Sequence, residues 1–116
     1  MSYTIHFEMA LAAPDDFDII FGMISEKASQ LGWKSGKYME GDLKGIYVDT
    51  CNDECETLSI AFDGLACEGF VKYLGIDKDF VWSIFDVFWL VKPCLEKLFV
   101  IDEMSLWEEY CSEKTS

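Results

Sequence analysis

Arginine is absent from this chain, and histidine occurs once, at His6. Without a guanidinium, the chain lacks the group that makes the most common base-specific contact with DNA. Nine lysines against 22 acids give a formal net charge of -13 and leave no cationic surface for phosphates. Nucleic acid is therefore not an expected ligand, and an anionic membrane surface is disfavoured for the same reason. With a single histidine, any imidazole-based acid/base or Cys-His nucleophilic site must include His6, whose place among alternating residues fits a surface position better. Proline is also scarce. Pro14 and Pro93 both lie at the edges of periodic segments, and no Pro/Ser linker, repeat or low-complexity tract divides the chain. One globular domain spanning residues 1–116 is the expectation, long enough to bury a core without help from disulfides or a metal.

Further absences narrow the function. No GxGxxG, P-loop, GxSxG or HExxH pattern occurs, so the familiar routes to catalysis are unsupported and neither an enzyme nor a cofactor is expected. The longest apolar stretch, "FVWSIFDVFWLV" (80–91), falls well short of the roughly 20 residues that cross a bilayer. The first residues, "MSYTIHFEMALAAP", lack the basic and apolar regions of a signal peptide, which implies a cytoplasmic location. The five cysteines (Cys51, Cys55, Cys67, Cys94, Cys111) then read as reduced thiols.

What the chain does have is a 51% hydrophobic and 16% aromatic composition, enough to drive compact folding. Tyr3, Ile5, Phe7 and Met9 alternate with polar residues, predicting a half-buried first strand. Pro14 opens a helix with Asp15 and Asp16 in its first turn. Phe17, Ile20, Phe21, Ile24, Ala28 and Leu31 follow at helical spacing until Gly32 stops it. After a connection containing Gly and Lys, "GIYVDT" (45–50) and "TLSIAFDG" (57–64) predict an antiparallel hairpin around the loop "CNDECE". Residues 65–74 read as a short helix. As a helix, 80–91 turns Asp79, Ser83 and Asp86 to one stripe, with Trp82 and Trp89 flanking it and a wide apolar arc opposite. Pro93 ends or bends it, residues 97–103 fit strand or helix equally, and Ser105 with Glu108 offers a capping box for a last helix. The fold class is α+β: a small antiparallel sheet packed against helices, in the order β-α-β-β-α-α-α.

Three groups of residues invite a chemical role. Cys51 and Cys55 bracket acids in the hairpin loop, but a tetrahedral zinc site needs ligands from Cys67, Cys94, Cys111 or His6, and no second close pair exists. The loop also lacks the ligand spacing and central glycine of a calcium loop. No metal is therefore expected. Asp79, Trp82, Asp86 and Trp89 on one helix, and Trp107, Glu108 and Glu109 on the last, each offer aromatic side chains beside acids, which is suited to a basic protein. A basic partner is the natural complement of so acidic a chain.

In size, acidity, Trp-rich segments such as "SIFDVFWLV" and "DEMSLWEEY", and lack of catalytic motifs, the chain resembles the small acidic immunity proteins of bacterial polymorphic toxin systems. That resemblance implies a stoichiometric inhibitor that occludes a basic, nuclease-type toxin domain. Two alternatives stand beside it. One is a homo-oligomeric scaffold, such as a homodimer that buries the aromatic patch across a two-fold axis. The other is a small enzyme with a pocket holding His6 or a perturbed carboxylate.

Overall fold

The alternation at the start of the chain produces the strand around which everything else is arranged. In the computed structural model, which describes residues 2–74 and 77–115, β1 (Ser2–Leu11) points Ile5, Phe7, Met9 and Leu11 into the core. The chain continues through α1 (Asp16–Gln30), β2 (Lys34–Glu40), β3 (Leu43–Asp49), β4 (Leu58–Asp63) and β5 (Ala66–Leu74). α2 (Lys78–Val91), a short turn at Lys92–Cys94, β6 (Leu95–Asp102) and α3 (Leu106–Thr115) complete it. The fold is α+β, with six strands in the order β2-β3-β4-β5-β1-β6, each antiparallel to its neighbours.

The expected first strand, first helix and hairpin are present, and of residues 97–103 all but Glu103 resolve as part of a strand. Two segments differ in detail from the sequence reading. The Gly- and Lys-containing connection forms the edge strand β2, and residues 65–74 form β5 where a short helix was expected. On β5, Cys67, Val71 and Tyr73 are buried while Phe70 and Leu74 are exposed, so apolar residues on both faces hide the two-residue period.

The helices lie against one face of the sheet. Phe88 of α2 meets Phe7 of β1 at 5.2 Å between ring centroids, and Phe17 of α1 meets Phe62 of β4 edge-on at 6.0 Å. α1 ends as its sequence predicts. Gly32 takes a left-handed φ of 75°, and the Trp33 amide returns to the Ala28 carbonyl at 2.8 Å. α2 begins at Asp77, whose carboxylate accepts the amides of Asp79 and Phe80 at 3.1 and 3.3 Å. It buries Val81, Ile84, Phe85, Val87, Phe88 and Val91, each contributing about 2 kcal/mol of transfer free energy. Pro93 lies in the turn that ends it.

The start of α3 is capped differently from the sequence expectation. Ser105 has a left-handed φ of 55°, outside the extended region an N-cap residue occupies. The cap comes instead from Asp102, the buried last residue of β6. Its carboxylate accepts the amides of Met104, Leu106 and Trp107 at 3.1, 2.8 and 2.9 Å. One side chain thus ties the edge of the sheet to the last helix. Asp102→Ala is expected to lower unfolding free energy by about 2 kcal/mol, because the cap is lost and three part-buried amides lose their acceptor. Urea denaturation with an unchanged m-value would show this, and Asp102→Asn should lose less.

Candidate functional site

Of the residues singled out on α2 and α3, Trp82, Asp86, Trp89 and Trp107 come together, around a residue the sequence did not single out as their centre. Tyr110 is fully buried. Trp107 stacks on it at 5.4 Å, Trp82 and Trp89 meet it edge-on at 5.6 and 6.0 Å, and Phe85 packs beside it at 5.5 Å. The Tyr110 hydroxyl donates to Asp86 at 2.5 Å, and the Trp82 indole donates to Glu113 at 2.7 Å. The three tryptophans are half-buried and join α2 to α3.

Lysines from distant parts of the chain gather here as well. Lys27 and Lys114 lie 3.9 and 3.7 Å from the Asp86 carboxylate, and Lys78 bonds Glu109 at 2.5 Å. Lys78 and Lys92 also sit over the Trp82 and Trp89 rings at 4.8 and 4.7 Å. The acidic rim is therefore largely answered from within the molecule, and Asp79 and Glu108 remain exposed at its margin.

In the hairpin loop, Cys51 is exposed and Cys55 half-buried. The loop runs back along β5: the Glu56 amide bonds the Lys72 carbonyl at 2.9 Å, and the Leu74 amide bonds the Glu54 carbonyl at 2.6 Å. Burial pushes the Cys55 thiol up to about 11. Among the described residues, no three His, Cys, Asp or Glu side chains lie together in a metal-binding group, and no helix is long and apolar enough to cross a membrane.

The face of the sheet turned away from the helices is the feature the sequence reading missed. Across β5, β1 and β6 it presents three rows: Phe70, His6 and Ile101; then Glu68, Glu8 and Phe99; then Ala66, Ala10 and Lys97. Phe70, Phe99 and Ile101 are each more than half exposed, at 54%, 52% and 53%, which is unusual for neighbouring large apolar side chains. The His6 ring lies 6.0 Å from that of Phe70, and Lys72 lies over Phe70 at 5.8 Å.

In the second row, two carboxylates face each other directly across β1 and β5, a pairing that costs stability. Lys97 neutralises Glu8 at 2.9 Å, while Glu68 has no ion-pair partner among the described residues. Beside these rows lies a shallow, open concavity of about 560 Å³, lined by Ala10, Ala61 and Ala66 with Glu8, Glu68, Asp63 and Lys97. Farther along, the ring of Tyr38 covers the backbone of Gly45, and that of Tyr47 covers Gly36, so neither glycine has room for a Cβ.

Two expected outcomes follow. Glu68→Lys should raise stability by about 0.5 kcal/mol, seen as a higher midpoint in urea, by replacing a like-charge pair with an attractive one. Burial, reinforced by the bond to Asp86, raises the Tyr110 hydroxyl well above the ordinary tyrosine value, and burial raises Tyr73 to about 12. Above pH 10 or so the unfolded chain releases these protons while the folded one keeps them, so stability should fall as pH rises from there. In urea unfolding measured against pH, Tyr110→Phe should flatten that alkaline decline.

No protein-family model matches the chain, and no curated protein sequence is significantly similar to it.

Proposed function

We propose that this domain is a non-catalytic binding module that occludes a basic protein, in the manner of a cytoplasmic immunity protein masking a nuclease-type toxin domain. One observation carries the proposal: the negative charge is not consumed by the fold. Among the described residues, five of the nine lysines (Lys27, Lys37, Lys78, Lys97 and Lys114) form ion pairs with four carboxylates (Asp86, Asp18, Glu109 and Glu8), two of the lysines sharing Asp86. The acidic surplus lies at the surface. Such a field draws a cationic protein into encounter and accelerates its association, most strongly at low ionic strength.

Apolar anchors then slow dissociation. Asp79, Glu108 and Glu109, at the margin of the tryptophan cluster, contribute to the steering field, while Trp82, Asp86, Trp89 and Trp107 hold α2 and α3 in place beneath them. A homodimer is the competing arrangement, favoured by the exposed apolar side chains of the sheet and opposed by the repulsion of two chains that each carry -13.

The test is capture from source-cell lysate by the purified domain at low and high salt, followed by inhibition assays on the captured protein. A basic protein retained at low salt, thinned at high salt, and inhibited at equimolar ratio is the expected result. Capture of acidic proteins only, or retention indifferent to salt, would refute the proposal. Alanine at Asp79, Glu108 and Glu109 together should slow association about threefold and leave dissociation nearly unchanged, as measured by surface plasmon resonance at low salt.

A further inference from the structure

We infer that the open face of the sheet is the docking surface for the basic partner, and that a lysine or arginine of that partner enters the concavity beside Glu68. This rests on the binding function proposed above and specifies where it acts.

Charge identifies the occupant. The concavity has three carboxylates, Glu8, Glu68 and Asp63, against one ammonium, that of Lys97, which is already committed to Glu8. An entering cation relieves the repulsion built into the register of β1 and β5, and excluding water around it strengthens the attraction. The alanines among the lining residues leave room for a long side chain to lie flat. Next to this acidic hollow, Phe70, Phe99 and Ile101 form an apolar patch that a small cation would leave uncovered but an apolar protein surface would bury. The matching partner surface is therefore an exposed basic side chain next to aliphatic or aromatic ones. A second copy fits poorly, since two chains that each carry -13 repel and the lysines of this face are already engaged, Lys97 with Glu8 and Lys72 over the Phe70 ring.

On the helical side the aromatic cluster is instead satisfied from within. Its aromatic rings pack on Tyr110, and its Asp86 already faces two lysines and the tyrosine hydroxyl.

The test uses an acetylated KLRFKLR peptide as probe, with ELEFELE as its acidic control, titrated into isotope-labelled full-length protein at low salt while backbone amide shifts are followed by NMR. Shifts confined to residues 8–10, 66–70 and 97–101, produced by the basic peptide alone, are expected. Glu68→Lys should weaken the affinity about tenfold and Phe70→Ser about fivefold. Both side chains are exposed, so both variants should keep the amide dispersion of the folded protein.

Shifts clustered on α2 and α3, insensitive to Glu68→Lys, would overturn the docking surface and leave the binding function standing. No response to the basic peptide, or an equal response to the acidic one, would overturn both. Sedimentation of a dimer that Phe70→Ser dissociates would assign the face to a second copy and overturn the inference.

Discussion

Phe88 resting on Phe7 places α2 over β1, one strand in from the β6 edge of the sheet, and the rest of the architecture follows from that contact. A helix layer held there can cover only one face. β1, between β5 and β6, therefore has to alternate, with Phe7 and its same-face neighbours buried and His6 turned outward. α1 carries the chain from β1 to the far edge at β2, and α2 carries it from β5 over β1 to β6. In this way β2 to β5 follow one another as sequential neighbours, while β1 is set between β5 and β6 by the two crossovers. The sheet has no second helical layer among the described residues, so its outer face depends on its own side chains for its properties.

Two clusters divide the work between them. Around Tyr110 the molecule satisfies itself: a buried hydroxyl meets a carboxylate, that carboxylate faces two ammonium groups, and three indoles close the cluster. Such a network rigidifies the α2–α3 junction but has few interactions left to offer. On the outer face the balance is reversed. Like charges oppose each other, large apolar side chains stand in water, and small residues leave a hollow between them. Features that cost an isolated domain free energy are the ones a partner can relieve.

The elements whose burial is one-sided were legible in the chain. Phe17, Ile20, Ile24 and Ala28 announce α1, the apolar arc of Phe80–Val91 announces α2, and Ile5, Phe7 and Met9 announce β1, because each presents a single apolar stripe to a single core. β5 and β6 were not legible in this way. Val71 and Val100 are buried while Phe70, Phe99 and Ile101 are exposed, so neighbouring positions are apolar and no period survives. β2 was hidden for another reason, since its core-facing register position opposite Ile46 is held by Lys37, which bonds Asp18 and lies over the Phe21 ring. The pattern failed at β5 and β6 because these strands carry the exposed apolar patch itself.

The sequence by itself determined the α+β class, the two long helices, the acidic surplus and the aromatic residues that each of α2 and α3 carries, since these depend on local spacing and on totals. Only the tertiary structure decided which charges are answered and which are not. Lys27 and Lys114 reach Asp86 from opposite ends of the chain, whereas strand register sets Glu8 against Glu68 and leaves the latter open. Spacing along a chain fixes which side chains share a face of one element. The charge that meets each of them across space is fixed only when the elements pack.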